Sequence, residues 1–255
     1  MKKITLALAA ATALFSAQAL AADLRPVYKA PPAPVVAPYY NWSGFYLGAH
    51  LGGGWADPSL TNLTNTTPWG DLVPGDRVSS DASGIVGGGQ LGFNWQTGNI
   101  VFGLEASFSG TGIEGKVTSP FGTADDQFKT SINTLFLGTG RIGYAFNNWM
   151  LYVTGGYAGA DVRARVVDTV GPNVGSGSDS KWLSGYTVGA GLEYAITQNL
   201  SFGLQYNFVD LGSKTFDLGD AAGFYDFRVR PDNIHIATAR LNYRFNWGGP
   251  VMASY

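Results

Sequence analysis

The sequence predicts an all-β protein, an eight-stranded antiparallel transmembrane β-barrel built as an up-and-down meander. Three observations predict it. Eight segments carry apolar residues at every second position, three tight turns alternate with four long connections, and aromatic residues collect at both ends of the segments. Period-two alternation, with short turns at one end and long loops at the other, is the pattern of an outer-membrane barrel.

The N-terminus predicts export. Lys2 and Lys3 precede an apolar run over 4–15, and Ala19-Leu20-Ala21 places small residues at the cleavage positions, so 1–21 is predicted to be a signal peptide. Residues 22–41 contain five prolines. Because proline cannot donate to a strand ladder, this segment is predicted to be an extended periplasmic linker that precedes the barrel.

Composition excludes several classes of protein. Charged residues make up 13% of the chain and aromatic residues 14%, which is not the composition of a disordered chain. No later segment approaches 18 consecutive apolar residues, which excludes a transmembrane helix. The formal net charge of −2 gives no reason to expect nucleic acid as a partner. Cysteine is absent, so there is no disulfide framework.

The barrel is predicted over 42–247, followed by a tail at 248–255. In its first strand Phe45, Leu47, Ala49, Leu51 and Trp55 share one face. The eight alternating segments are 45–55, 85–95, 100–108, 136–146, 151–157, 186–194, 200–208 and 237–245, and only Leu135 and Leu137 blur the pattern of the fourth. Tight turns are predicted at 96–99, 147–148 and 197–199, and long connections over about 57–82, 112–130, 163–180 and 213–231.

The apolar face is predicted to contact lipid, and the polar face to line the lumen. The polar face is rich in Gly, Ser, Thr, Asn and Gln, which a water-soluble barrel would not place in its core. Aromatic side chains bracket the aliphatic band, as they do at the two membrane interfaces. The predicted interface aromatics are Trp55, Trp95, Phe108, Trp149, Trp182, Phe208, Tyr243 and Phe245, and Trp42 and Trp247 are expected at the short-turn end as well.

Five charged residues fall on the polar face of the predicted strands: Glu105, Arg141, Glu193, Arg240 and Arg244. The first four lie at similar heights above the short-turn end. Since the lumen of an eight-stranded barrel is just wide enough for side chains to fill, these four are expected to meet, and Arg244 is assigned to the same lumen charge network. Two interpretations stay open. The network is either a plug that fixes strand register or a gate in a narrow pore.

The sequence offers few residues of the types that carry out catalysis. Without cysteine and with only His50 and His235, we expect no metal site, no cofactor and no enzymatic activity. Some lipid-modifying barrels pair a membrane-facing histidine with a serine two residues later, but that position is Ala237. Aromatic residues in the long connections are expected to give exposed loop surface, so binding of a surface ligand, including haem, stays open. These residues are Phe121, Phe216, Phe224, Tyr225 and Phe227.

The segment Trp42-Ser43-Gly44-Phe45-Tyr46-Leu47-Gly48 resembles the opening strand of small porin-like outer-membrane proteins of alphaproteobacteria, which are relatives of opacity-type antigens and the OmpA membrane domain. Leu241-Asn242-Tyr243-Arg244-Phe245 is similar to the closing strand of that family, although ten residues follow Phe245 here. The resemblance covers the whole mature chain. It implies an abundant structural protein of the outer membrane, and some relatives are described as porins or haem binders.

The expected partners are outer-membrane lipid, lipopolysaccharide and the barrel-assembly machinery, which reads the aromatic end of the closing strand in this family. Three functions stay open: a structural surface barrel, a narrow diffusion channel and a protein that binds a surface ligand.

Overall fold

The computed structural model describes residues 40–64, 73–118, 127–167, 176–218 and 226–245, and every regular element in them is a strand. The strands are β1 (Gly44–Asn62), β2 (Arg77–Ser79), β3 (Ala82–Thr97), β4 (Ile100–Thr118), β5 (Gln127–Phe146), β6 (Trp149–Val167), β7 (Ser176–Ala195), β8 (Leu200–Asp210), β9 (Lys214–Asp217) and β10 (Asp226–Arg244). No helix in these ranges is long and apolar enough to cross a membrane.

Eight long strands form a closed ring. They follow chain order as an antiparallel meander, β1-β3-β4-β5-β6-β7-β8-β10, and β1 pairs with β10 to close it. The short strands β2 and β9 precede β3 and follow β8, and they pair with β1 and β10 respectively. Closure leaves no sheet edge within the ring, which matters because unpaired backbone groups are costly in lipid. The eight-stranded antiparallel prediction is confirmed.

The strands are longer than the eight alternating segments that were predicted from the sequence. Much of the four predicted connections, 57–82, 112–130, 163–180 and 213–231, is strand, so those four predictions were wrong in extent. In β6, Ala164 and Val166 are fully buried whereas Arg163 and Arg165 are exposed. Alternation therefore continues with the polar residues outside and the apolar residues inside. The sequence reading followed only apolar side chains that point outward, and it stopped where they end.

The exterior carries a band of exposed apolar side chains near the short-turn end. On β1 this band runs from Phe45 to Trp55, which are 54% and 46% exposed. At about 3.3 Å per residue and about 40° of tilt it spans roughly 25 Å, the height of the apolar band of an outer-membrane barrel. Beyond Trp55 the residues of β1 with outward parity are polar: Asp57 is exposed, Thr61 is half-buried, and Ser59 is buried and accepts a hydrogen bond from Arg77. The barrel thus extends past the membrane on the long-loop side.

The lumen has two halves of opposite character. The half within the membrane band is lined by polar and charged side chains, whereas a cluster of 23 buried apolar residues fills the half nearer the long loops. The predicted polar lumen is therefore correct for the inner half and wrong for the outer half. Leu135 and Leu137 belong to this outer core because they share the inward parity of Thr139 and Arg141. A bulge between Ile132 and Thr134 then shifts β5 by one residue, so that Ile132 and Phe128 also point inward.

The filled lumen as candidate functional site

The charged layer of the lumen joins four strands of the ring, β4, β5, β7 and β10. Arg240 on β10 contacts Glu105 on β4, with 2.6 Å between its Nη2 and the carboxylate Oε2. Arg141 on β5 lies between the two carboxylates of the layer, with its Nη1 3.8 Å from Glu105 and 3.6 Å from Glu193. All four side chains are less than 10% exposed. The structure thus brings four of the five sequence-predicted charges together at one level.

Two tyrosine rings clamp Arg141. Its guanidinium carbon lies 4.6 Å from the centroid of Tyr46 and 5.2 Å from that of Tyr152, and its Nε donates to Asn94 at 2.9 Å. Inward glycines make room for these rings. A Cβ on Gly92 would lie 2.2 Å from the Tyr46 hydroxyl. Stacking on aromatic faces suits the planar guanidinium, which is more weakly hydrated than an ammonium.

Hydrogen bonds connect the carboxylates to the rest of the layer. The Tyr46 hydroxyl donates to Glu105 at 2.7 Å. Glu193 accepts from the Ser201 hydroxyl at 2.5 Å and from the Asn242 amide at 3.0 Å. Arg240 also donates to Gln205. Because each carboxylate has both a cation within 4 Å and neutral donors, the layer satisfies the main conditions for keeping charges buried.

His50 extends this network toward the outer half of the lumen. Its ring nitrogens lie 2.7 Å from the Gln90 carbonyl oxygen and 2.8 Å from the Ser109 hydroxyl, and Gln90 donates to Asn242 at 2.7 Å. Both ring nitrogens thus have hydrogen-bond partners. The environment is that of a lumen filler.

Arg244 lies apart from the charged layer, so its assignment to that network was wrong. Its guanidinium sits over the rings of Tyr40 and Trp42, 4.3 and 5.7 Å from their centroids, and it donates to the Gln198 carbonyl oxygen at 2.7 Å. The five charges share one face, but Arg244 comes from the strand end and therefore reaches the mouth of the barrel. Trp42, expected among the interface aromatics, is 1% exposed and packs inside this mouth.

The residues that close the mouth come from just before β1. Tyr40 and Trp42 pack with Val101, Met150 and Tyr152. The Trp42 backbone N–H donates to the Gln96 side-chain oxygen at 2.7 Å, which ties the segment to the first tight turn. Burial raises the pKa of the Tyr40 hydroxyl above its ordinary value. This segment forms a mouth plug, and no pattern in the sequence indicated it, because Arg244 meets Tyr40 and Trp42 only when the barrel closes.

The outer core is the part of the lumen that the sequence pattern did not indicate. Phe128 and Phe227 meet edge to face, with 5.7 Å between ring centroids, and Phe216 is fully buried in the same cluster. Phe216 and Phe227 were expected to give exposed loop surface; that expectation was wrong, because both lie on strands that point them inward. Phe121, Phe224 and Tyr225 lie outside the described residues.

The predicted interface aromatics project outward from the barrel. Seven of them are 40–59% exposed, namely Trp55, Trp95, Phe108, Trp149, Trp182, Tyr243 and Phe245, and Phe208 is half-buried. Phe208 packs edge to face on His235, which stacks on Trp55 and lies 2.5 Å from the Tyr206 hydroxyl. Trp247 lies outside the described residues. In the part of the chain that is described, no three His, Cys, Asp or Glu side chains group as metal ligands.

Comparisons with known proteins agree with this architecture. The family model for the outer membrane protein beta-barrel domain matches residues 7–245. The 31 kDa outer-membrane immunogenic protein of Brucella melitensis is 31% identical over 93% of this chain and 98% of its own length. The 22 kDa outer membrane protein of Rhizobium leguminosarum bv. viciae is 34% identical over 74% of this chain and 73% of its own length.

Among solved structures, the outer membrane protein OprG from Pseudomonas aeruginosa is 12% identical, with a TM-score of 0.49, and the match covers 80% of this chain and 97% of that chain. That likeness is too distant to inform function. The family model and the two relatives settle what the fold alone leaves open. The chain belongs to the outer membrane β-barrel protein family, and it resides in the outer membrane.

Proposed function

We propose that this protein is a structural, surface-displayed barrel that contributes to the integrity of the outer membrane and does not conduct ions. The observation that carries the proposal is the outer core. Water-filled barrels have polar interiors, whereas here 23 buried apolar residues close the outer half of the lumen. An ion that crossed this layer would lose its hydration without gaining polar ligands.

The small size of one cavity in the lumen supports a closed barrel. A cavity of about 20 Å³ lies between the charged layer and the outer core, beside His50, Glu105 and Arg240. This volume holds about one water molecule. Below it the charged layer and the mouth plug form two further barriers, so the lumen is blocked at three levels along its axis.

Surface display follows from the exterior of the outer half. Its outward positions are polar beyond Trp55, and two of the relatives from Brucella melitensis are named as immunogenic outer-membrane proteins. We extend exposure at the cell surface to this chain. The site offers buried ion pairs and hydrogen bonds rather than a reactive group open to substrate, so the proposal includes no enzymatic activity.

Planar-bilayer recording of the refolded protein tests the closed lumen against a narrow channel. The parent protein should give no unitary current steps. Glu105→Gln, which removes one charge from the layer without changing its size, is the matched variant. Stable steps in the parent that change in amplitude or selectivity in this variant would establish a channel and overturn the proposal.

The structural role needs a separate test in cells. Deletion of the gene should increase sensitivity to large antibiotics and to detergent, and the parent gene should restore resistance. A deletion strain that resists both as well as its parent would contradict a role in envelope integrity, whatever the conductance result.

A further inference from the structure

A patch of basic residues covers the exterior of β4, β5 and β6 on the long-loop side. Lys116 on β4 lies opposite Lys129 on β5, which in turn lies opposite Arg165 on β6, and Arg163 is two residues below Arg165. Lys129 forms an ion pair with Glu114 at 2.9 Å. We call Lys116, Lys129, Arg163 and Arg165 the basic patch. It combines four cations with one paired carboxylate.

The arrangement is unfavourable without an anion. Like charges directly opposite each other on neighbouring strands destabilise a sheet, and here three cations follow one another in a single cross-strand row. Within the described ranges, Lys116, Arg163 and Arg165 have no carboxylate within ion-pairing distance. Arg163 and Arg165 cannot turn inward, because Val162, Ala164 and Val166 fill the interior positions between them.

The height of the patch matches the headgroups of the outer leaflet. Trp182, an interface aromatic, pairs with Asp161 on β6, so Arg163 lies two residues above that level and Arg165 four residues above it. At about 3.3 Å per residue and about 40° of tilt, these positions rise roughly 5 and 10 Å above the interface. The polar layer of a bilayer extends about 5–8 Å beyond the hydrocarbon on each side, so Arg163 lies within it and Arg165 lies at its outer limit.

We propose that the basic patch binds the phosphate groups of a phosphorylated glycolipid of the outer leaflet, the chemistry of the lipid anchor of lipopolysaccharide. This assigns a lipid partner to the barrel and goes beyond its structural role. A lipid fits better than a free anion because the same strands turn apolar just below the patch. Phe136 and Tyr157 pack there on the exterior, with 6.3 Å between ring centroids, where acyl chains would lie.

Native mass spectrometry of the full chain in detergent, titrated with bisphosphorylated lipid A, tests the proposal. The variant is Arg163→Gln with Arg165→Gln. The matched control is Arg228→Gln with Arg230→Gln, which removes two arginines from alternate positions of β10, also on the long-loop side. Two cations near a charged surface contribute enough that the variant should bind lipid A about thirtyfold more weakly. The control should bind within about threefold of the parent.

Three further measurements separate binding of the lipid phosphates from binding of a free anion and from loss of folding. Dephosphorylated lipid A should bind the parent as weakly as lipid A binds the variant, and inorganic phosphate at millimolar concentration should not displace the lipid. Arg163→Lys with Arg165→Lys keeps the charge and should keep most of the affinity. Lys116→Gln with Lys129→Gln replaces the arginine variant if that one fails to fold. Equal binding by variant and control, equal binding of dephosphorylated lipid, or displacement by inorganic phosphate would overturn the proposal.

Discussion

Arg141 shows what a single residue does in this lumen. It has two carboxylates within 4 Å, two tyrosine rings over its guanidinium and a hydrogen bond to Asn94. Its Nη atoms nevertheless have no hydrogen-bond partner among the described residues. A charge in this position is held mainly by long ion pairs and ring contacts, and its removal leaves Glu193 without a cation within 4 Å.

Arg141→Ala should therefore destabilise the barrel by about 3–5 kcal/mol, the usual cost of leaving a buried charge without its partner. Urea unfolding of the refolded protein in lipid vesicles measures it. Arg165→Ala, on the exterior, is the control and should change the free energy of unfolding by less than about 0.5 kcal/mol. An Arg141 variant as stable as the parent would show that the charged layer is not structural.

A double-mutant cycle identifies the partner that is affected. In the Arg141→Ala background, Glu193→Gln should cost less than it does in the parent, because the carboxylate has already lost its cation. The coupling energy for contacting residues is about 0.5–3 kcal/mol. Additive effects would mean that Ser201 and Asn242 alone satisfy Glu193.

Parity in the sequence identified the face and approximate height of the lumen charges but not their partners. Glu105, Arg141, Glu193 and Arg240 meet although they lie at different distances from the short-turn ends of their strands, while Arg244 is the last residue of β10 and reaches the mouth instead. Which residues meet depends on register around the ring. Register is set by turns and cross-strand pairing that no single strand encodes.

At the scale of the strand, β6 explains why the boundaries were predicted too short. Its outward positions change from Leu151 and Val153 to Arg163 and Arg165, while its inward positions change from Tyr152 and Thr154 to Val162 and Ala164. A polar-outside, apolar-inside segment is the ordinary pattern of a strand in water. The alternation with period two continues through 163–167. What changes is the environment: the outward face passes from lipid to water, and the inward face passes from polar to apolar packing.

A cysteine scan of β6 tests this boundary, and the absence of native cysteine makes every label specific. Substitutions at 163 and 165 should react quickly with a water-soluble maleimide, since both side chains are exposed beyond the apolar band, at the hydrated surface of the bilayer. Substitutions at 162, 164 and 166 should resist labelling because those positions are fully buried. Uniform reactivity over 162–166 would mean that this segment is a loop, as the sequence first indicated.

Positions 151 and 153 of β6 serve as the internal control. They project into the apolar band and should resist the maleimide in vesicles but become reactive when the folded protein is moved to a thin detergent shell. If they react as fast as 163 and 165 in vesicles, the apolar band is not in contact with lipid.

At the scale of the whole molecule, six of the eight ring strands have 19 or 20 residues and are about twice as long as the membrane requires. β5 has 20 residues, which correspond to roughly 50 Å of height, against about 25 Å for the apolar band. The outer half is therefore a barrel with a polar exterior and an apolar core. It is continuous with the membrane half, which has an apolar exterior and a polar lumen. The sequence predicted the ring and its location; it did not reveal that the lumen changes character halfway along its axis.

This division predicts how stability depends on bilayer thickness. The free energy of unfolding should be greatest in phosphatidylcholine vesicles with a hydrocarbon thickness near 25 Å and should fall in thicker bilayers, because hydrophobic mismatch costs a fraction of a kcal/mol per Å. Urea titrations in vesicles of increasing acyl length, followed by tryptophan fluorescence, measure this.

Thr61→Leu with Arg165→Leu would extend the apolar exterior upward and should move the optimum to thicker bilayers. An optimum that tracked the full strand length in the parent would mean that the outer half is embedded in lipid, which its exposed Arg163 and Arg165 oppose.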